Sequence, residues 1–182
     1  MLQSPSIMNT HLMKTLLLAT ALGLGLSGCD RYFDTPQCGA VFEPGQTEGF
    51  ELDTQGSALH KASGVRWYRC SAGQRFANGQ CIGEPLLLNQ EDAQKYARDF
   101  SAASGRTWRL PTVDEMQSIT VKHCKSPALN PNVFPSIRID NYWTSSRSFN
   151  GPGLGCTTYT YNGNSFCKEA RSIERPFLLV LE

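Results

Sequence analysis

One short segment constrains the fold of this 182-residue chain more than any other. It reads Arg106-Thr107-Trp108-Arg109-Leu110-Pro111-Thr112-Val113-Asp114-Glu115. The apolar residues before Pro111 predict a buried, extended segment that stops at the proline, which lacks a backbone donor. Thr112 and Glu115 have the T-x-x-E spacing of a capping box, in which the threonine hydroxyl accepts from a helix amide and the glutamate reaches back to the cap. We therefore interpret the segment as a structural joint between a strand and a helix, rather than as a binding motif.

Residues 1–28 are typical of a secretory signal peptide. A short basic start at Met13-Lys14 precedes an apolar run that is shorter than the roughly 20 residues needed to span a bilayer. The run ends in Leu26-Ser27-Gly28-Cys29, which resembles the lipobox of bacterial lipoproteins. This resemblance predicts that Cys29 becomes the first residue of the mature chain and carries acyl chains such as palmitate, which act as a membrane anchor.

The expected location is the bacterial cell envelope, with the protein attached to a membrane through Cys29. Asp30 resembles an inner-membrane retention signal in some bacteria, but the rule varies between groups, so the inner and outer membranes both remain open. The same holds for the periplasmic or surface side and for the start residue, for which Met1, Met8 and Met13 are candidates.

The net charge of the mature chain gives evidence about nucleic acid as a partner. Lys14 is the only charged residue among residues 1–28, so the 17 basic and 16 acidic residues of the whole chain become 16 of each after cleavage. A neutral chain without a basic run gives no reason to expect a nucleic-acid partner. The hydrophobic content of 40% is sufficient for an ordinary folded core.

Six cysteines remain once Cys29 is assigned to the anchor: Cys38, Cys70, Cys81, Cys124, Cys156 and Cys167. An even number in an exported chain predicts three disulfides. No C-x-x-C pair is present, and the mature chain has only two histidines, so we expect neither a zinc site nor another metal cofactor. Cys70 and Cys81 enclose a short loop with the turn dipeptide Asn78-Gly79 and are the first predicted pair.

Two helices are predicted. The first is capped by Asn89, carries Ala93, Ala97 and Phe100 on one face and ends near Ser104-Gly105. The second begins at Thr112. Strands are predicted at Phe50-Glu51-Leu52, Val65–Arg69, Asn141–Ser146 and Pro176–Leu181, and the last of these is so apolar that we expect it to be central.

A hairpin is predicted around Asn162-Gly163, a dipeptide that favours a two-residue type I′ turn. This register pairs Tyr161 with Asn164 and Cys156 with Glu169. Cys167 is then diagonal to Cys156, about 7–8 Å away between α-carbons, which is long for a disulfide. A Cys156–Cys167 disulfide therefore requires a bulge or an early end of the ladder. We favour this pair, which leaves Cys38 with Cys124; the alternative is that Cys124 takes one of the two hairpin cysteines.

Several motifs occur together in one order: Trp108–Thr112 with Glu115, Asn130-Pro131, Phe134-Pro135, Tyr142–Ser146 and Arg175-Pro176-Phe177. Together they resemble the Lcl C-terminal domain family, named for the end of a Legionella collagen-like adhesin. The resemblance implies a C-type-lectin-like α+β fold, with two helices packed on small antiparallel sheets and disulfides. We therefore divide the chain into a signal peptide (1–28), a lipid-anchored tether (29–48) and an Lcl C-terminal-like domain (49–182).

The resemblance implies an exported, adhesion-linked role but does not assign ligand-binding residues. Asn130-Pro131-Asn132 and Tyr142-Trp143-Thr144 are the nearest matches to the calcium-binding motifs of C-type lectins, and they lack the carboxylates that calcium prefers. We interpret Trp67, Trp108 and Trp143 as core residues, and Arg109 and Arg175 as partners of carboxylates or buried carbonyls. A ligand site is expected instead in the loops of residues 147–168.

The favoured function is a lipid-anchored, non-catalytic binding protein of the cell envelope that recognises a glycan or a protein. The alternative is an accessory or inhibitor lipoprotein that docks on one envelope protein. An envelope enzyme is the least favoured hypothesis, because His60 and His123 lack the surrounding motifs of known hydrolases and the even cysteine count leaves no free thiol.

Overall fold

The structure, a computed structural model, describes residues 35–182. The predicted signal peptide 1–28, the predicted acylation site Cys29 and the adjoining residues 30–34 lie outside the described residues. The described chain has three helices: α1 (Cys38–Val41), α2 (Gln90–Ser104) and α3 (Val113–Ile119). Its ten strands are β1 (Phe50–Leu52), β2 (Ser57–His60), β3 (Arg66–Tyr68), β4 (Arg75–Ala77), β5 (Gln80–Ile82), β6 (Trp108–Arg109), β7 (Asn141–Arg147), β8 (Leu154–Tyr159), β9 (Asn164–Ala170) and β10 (Val180–Leu181).

The strands form three small sheets with orders β1-β2-β3-β10-β6, β4-β5 and β7-β8-β9, and all pairings between these strands are antiparallel. The prediction of an α+β fold with small antiparallel sheets and disulfides is therefore confirmed. Strand β2, which the sequence analysis did not predict, pairs with both β1 and β3.

The C-terminal apolar strand is central, as predicted, because β10 lies between β3 and β6. It is shorter than predicted: only Val180 and Leu181 form a ladder, whereas Phe177 makes an isolated parallel bridge with Trp143. Leu178 and Val180 pack in one core cluster and Phe177 and Leu179 in a second one. Consecutive side chains of an extended segment point to opposite faces, so this segment is apolar throughout because both of its faces are buried.

Both predicted helices begin at the predicted caps. The Asn89 side chain accepts a hydrogen bond from the Asp92 amide, and α2 ends at Ser104 with Gly105, whose φ is 66°, as its C-cap. At Thr112 the full capping box is present, since its hydroxyl accepts from the Glu115 amide and the Glu115 carboxylate accepts from the Thr112 amide. The predicted joint between strand and helix is confirmed.

The two Asn-Gly dipeptides behave differently. Asn78 and Gly79 have φ values of 51° and 79° and form the two-residue turn between β4 and β5. The predicted two-residue turn at Asn162-Gly163 is wrong, because the ladder of β8 and β9 ends at Tyr159 and Asn164 and leaves a four-residue turn.

Neighbouring segments explain this difference. The carbonyls of Thr160 and Tyr161 accept hydrogen bonds from the Ala128 and Ser126 amides, both at 2.7 Å, and the Thr160 amide donates to the Asp140 carbonyl at 3.0 Å. Thr160 and Tyr161 are therefore used by the segments beside the hairpin and cannot extend its ladder.

All three disulfides that the sequence analysis favours are present: Cys38–Cys124, Cys70–Cys81 and Cys156–Cys167. The register between β8 and β9 shifts between Gly155 and Thr157, which is the bulge that the third pair requires. The α-carbons of Cys156 and Cys167 are 3.9 Å apart instead of the expected diagonal distance.

The compact unit begins at Pro36, so it includes residues 36–48 of the segment that the sequence analysis assigned to the tether. The Cys38 amide donates to the Lys125 carbonyl at 2.8 Å, and the Lys125 amide donates to the Pro36 carbonyl at 2.9 Å. Together with the disulfide to Cys124, these bonds attach the segment to the loop after α3.

Candidate functional site

A cleft in the described part of the chain has a volume of about 510 Å³ and is mostly polar. Four segments contribute to it: the start of α2, the end of β7, the glycine-rich loop of residues 150–155 and the residue after β9. Its lining residues are Gln90, Gln94, Ser145, Ser146, Arg147, Ser148, Gly151, Pro152, Leu154 and Arg171. The predicted 147–168 region therefore supplies only part of the site, and the helix side and Arg171 were missed.

An irregular stretch of β7 shapes the cleft. Trp143 pairs with Thr157 and Arg147 pairs with Gly155, so three residues of β7 lie opposite one residue of β8. The Ser145 amide turns away from the ladder and donates to the Pro111 carbonyl at 2.8 Å. Such irregularities often direct side chains toward a site at the edge of a sheet.

The joint segment of residues 106–115 supports this wall of the cleft. The Ser146 hydroxyl accepts a hydrogen bond of 2.9 Å from the Val113 amide, the first amide of α3, and Pro111 accepts from Ser145. The segment thus has a structural role, as interpreted from its sequence. It also holds two lining serines in place, which its sequence does not indicate.

Gln90 connects the helix side of the cleft to the strand side. It is only 3% exposed, its side-chain amide donates to the Thr144 carbonyl at 2.9 Å, and its backbone amide donates to the Arg171 carbonyl at 3.0 Å. A Cβ atom on Gly155 would lie 2.7 Å from the Gln90 side-chain amide. Glycine is therefore required at residue 155 for Gln90 to occupy its position.

The glycine-rich loop forms the outer wall and is tied to β9. The Ser148 hydroxyl and the Asn150 side-chain amide both donate to the Cys167 carbonyl, the latter at 3.2 Å. The Arg171 amide donates to the Gly153 carbonyl at 2.9 Å. Because Cys167 is bonded to Cys156, the disulfide holds the strand to which the loop is attached.

Two arginines give the cleft its charge. Arg147 is exposed and Arg171 is half-buried, and neither guanidinium makes a hydrogen bond or an ion pair with any other residue of the described chain. The lining residues include no aspartate or glutamate. The cleft therefore offers two cationic groups, together with serine and glutamine side chains, to a ligand that carries negative charge.

The arginines singled out in the sequence serve a different purpose. Arg109 binds Glu115 through two hydrogen bonds of 2.8 and 2.7 Å, and this contact raises the pKa of Arg109 and lowers that of Glu115. Arg175 binds Asp140 and Glu169 at 3.0 Å each. Burial opposes the charged form of Arg175, but these carboxylates more than compensate and raise its pKa. The prediction that both arginines are partners of carboxylates or buried carbonyls is confirmed, and their principal partners are carboxylates.

A smaller cavity of about 150 Å³ adjoins the cleft and shares Gln94 and Ser145 with it. Its other lining residues include Arg98, Trp108 and Leu110. The two cavities thus lie side by side along α2, with the smaller one next to the joint segment.

The tryptophans and the Asn130-Pro131-Asn132 segment have structural roles. Trp67 and Trp143 are fully buried and Trp108 is 6% exposed, which confirms their assignment to the core. Asn130 and Asn132 each donate a side-chain hydrogen bond to the Gln46 carbonyl, at 2.9 and 3.1 Å. They therefore hold the segment before β1 against the loop after α3.

Within residues 35–182, no three histidine, cysteine, aspartate or glutamate side chains are grouped so that they could hold a metal ion. No helix in this part of the chain is long and apolar enough to cross a bilayer.

Fold and cleft together define a disulfide-stabilised α+β domain with a polar, cationic groove between a helix and a three-stranded sheet. The family model of the Lcl C-terminal domain matches residues 56–180, which is more than half of the chain. The chain therefore belongs to this family, as its motifs suggested. No curated protein and no solved structure matches it significantly.

Proposed function

We propose that this protein is a lipid-anchored, non-catalytic binding protein of the bacterial cell envelope, with the cleft as its ligand site. The observation that carries the proposal is the pair of guanidinium groups, Arg147 and Arg171, that line the cleft without a carboxylate partner in the described chain. Arginine binds carboxylate, sulfate and phosphate oxygens through paired N–H groups. The proposed ligand is a glycan with anionic substituents.

The remaining lining residues support a sugar-like ligand. Serine hydroxyls and the side-chain amides of Gln90 and Gln94 can donate and accept hydrogen bonds, as ring hydroxyls require. The adjoining groove past Ser145 provides space for a second residue of an extended chain. The six described cysteines are all in disulfides, which supports a stabilising role for them rather than a nucleophilic one.

The anchor and the fold type belong to the same proposal. Leu26-Ser27-Gly28-Cys29 supports acylation of Cys29. Two helices on small antiparallel sheets, with long disulfide-tied loops around the cleft, support a C-type-lectin-like architecture.

A binding measurement on residues 30–182 tests the ligand proposal. We expect anionic glycans to bind and their neutral counterparts to bind at least tenfold more weakly. We expect Arg147→Gln combined with Arg171→Gln to reduce affinity about 10- to 100-fold, since each charge-assisted contact contributes about 1.5–3 kcal/mol before solvent screening. The matched control is Arg75→Gln on β4, which removes an exposed arginine outside the cleft.

Two results would each contradict the proposal. In the first, the wild type binds anionic and neutral glycans equally; in the second, the double variant binds anionic glycans as tightly as the wild type. Loss of binding in the Arg75→Gln control as well would assign the effect to overall charge rather than to the cleft.

One observation favours the second candidate, a protein-docking accessory lipoprotein. Phe149 is 101% exposed at the tip of the loop beside the cleft. Aromatic side chains, including phenylalanine, are enriched at protein interfaces relative to the rest of the surface. A stoichiometric envelope protein partner that is lost with Phe149→Ala but retained in the double arginine variant would favour this candidate over glycan binding.

A further inference from the structure

The segment that leads from the domain toward Cys29 is attached at one defined place. The Cys38–Cys124 disulfide and the backbone bonds of Cys38 and Pro36 with Lys125 fix it beside the loop after α3. Pro36 lies seven residues after Cys29 in the sequence. Because an extended chain spans at most about 3.6 Å per residue, Pro36 can be no more than about 25 Å from an acylated Cys29.

Basic and aromatic side chains surround this attachment point. We call them the anchor-side surface: Lys122, His123, Lys125, Tyr159 and Tyr161. The Lys125 ammonium lies 5.8 Å from the centre of the Tyr161 ring, which stacks on the Tyr159 ring at a centroid distance of 5.8 Å. Lys125 and the two tyrosines therefore form one contiguous part of this surface.

The hairpin turn joins Lys122 to the same surface. The Lys122 ammonium donates to the Gln117 side-chain oxygen at 2.7 Å. The nitrogen of the same Gln117 side chain donates to the Gly163 carbonyl at 2.6 Å. Lys122 and His123 are exposed, whereas Lys125 and both tyrosines are half-buried.

The carboxylates of the adjoining segments do not pair with Lys122. Asp140 binds Arg175 and Arg138, and the Glu48 carboxylate accepts from the Gln46 side chain. Glu43 is the other carboxylate of residues 36–48, and it too makes no ion pair with Lys122. The Lys122 charge is thus matched only by a neutral amide among the described residues, and it is available to an external anion.

We propose that the anchor-side surface binds the anionic phospholipid headgroups of the bilayer that holds Cys29. The inference rests on the acylation of Cys29 in the proposed function, and it specifies which face of the domain meets the membrane. Each lysine near an anionic bilayer strengthens association about fivefold, and tyrosine rings are favoured at the boundary between headgroups and water. The short linker keeps the attachment point within about 25 Å of the bilayer. It therefore brings the groups of the anchor-side surface toward the membrane.

Hydrogen exchange of the full-length, exported protein in vesicles tests this inference. The intact mass first establishes whether the mature N-terminus carries acyl chains. The protein is then reconstituted in vesicles of phosphatidylcholine alone, or of phosphatidylcholine with phosphatidylglycerol. We expect amides of residues 121–126 and 159–163 to exchange about fivefold more slowly in the anionic vesicles, and this difference to shrink at high salt.

Charge variants provide the control. Lys122→Gln combined with Lys125→Gln should abolish the difference between the two lipids. Arg75→Gln combined with Lys95→Gln removes the same charge from β4 and α2 and should leave the difference unchanged. An acylated protein with equal exchange in both lipids, or with protection on another face, overturns the inference and leaves the proposed anchor intact. A mass without acyl chains overturns the anchor and the inference together.

Discussion

At the scale of single residues, Glu115 takes part in two interactions. Its carboxylate accepts from the Thr112 amide at 2.7 Å, which completes the capping box, and it binds both terminal nitrogens of Arg109. The hydrogen bond with Arg109 is the largest cause of its lowered pKa, and it outweighs the effect of partial burial, which acts in the opposite direction. The residue therefore couples the start of α3 to strand β6.

This coupling predicts a specific dependence on pH. A carboxyl with a lowered pKa in the folded state stabilises the protein above its unfolded pKa and loses this contribution as the pH falls through the folded pKa. We expect Glu115→Gln to cost about 1–2 kcal/mol of unfolding free energy at neutral pH and almost nothing at strongly acidic pH. Glutamine can still complete the capping box, so the loss reports the ion pair.

Urea unfolding of both proteins at several pH values measures this effect. The control is Glu91→Gln, an exposed residue in the first turn of α2, which should change stability by at most about 0.5 kcal/mol. A Glu115→Gln penalty that stays constant down to strongly acidic pH would falsify the assignment.

At the scale of elements, the two Asn-Gly turns show how context changes the cost of the same substitution. Gly79 and Gly163 have nearly the same φ values, 79° and 75°. A Cβ atom on Gly79 would meet nothing within 4 Å, whereas one on Gly163 would lie 2.0 Å from the Thr120 Cγ2 atom. The β8–β9 turn packs directly against the end of α3, whereas the β4–β5 turn packs against no other segment at this position.

We therefore expect Gly79→Ala to cost about 1 kcal/mol, the price of a left-handed backbone without glycine. Gly163→Ala should cost about 2–4 kcal/mol, because the steric clash adds to this backbone strain. Thermal or urea unfolding of the two variants measures the difference. The Thr120→Ser change removes Cγ2 and should recover part of the loss in the Gly163→Ala background, and equal penalties for both glycines would contradict the packing.

At the scale of the whole molecule, the disulfides differ in the length of chain that they enclose. Cys38–Cys124 spans 86 residues, whereas each of the other two pairs spans 11. Loop-closure entropy in the unfolded chain predicts a contribution of about 4–5 kcal/mol for the long loop and about 3 kcal/mol for each short one. The long disulfide also holds the N-terminal segment on the domain.

We expect Cys38→Ala with Cys124→Ala to lower the unfolding free energy more than the matched double variant Cys70→Ala with Cys81→Ala. Equilibrium unfolding of the two variants under non-reducing conditions measures this order. Proteolysis should also cut residues 36–48 first in the Cys38/Cys124 variant, because the remaining hydrogen bonds alone hold this segment. The reverse order of stabilities would show that residual structure in the unfolded chain outweighs loop length.

The sequence by itself determined those features that depend on residues close to one another in the chain. Capping residues Asn89 and Thr112, the turn at Asn78-Gly79 and the joint around Pro111 depend on neighbours within a few positions, so their side chains specify the geometry directly. The order of motifs also sufficed for the family and the cysteine count for three disulfides, whereas the bulge between β8 and β9 decided that Cys167, and not Cys124, pairs with Cys156. The core position of the tryptophans followed from the motifs that contain them.

Tertiary structure alone decided the register of the last hairpin, the start of the domain and the composition of the cleft. Thr160 and Tyr161 leave the predicted ladder because Asp140, Ser126 and Ala128, distant in sequence, bind their backbone groups. Gln90 and Arg171 are separated by some eighty positions in the sequence, and no local pattern marks either as part of a site. The physical reason is the same in each case: a long-range contact replaces a local preference when it satisfies buried polar groups that the local arrangement would leave unpaired.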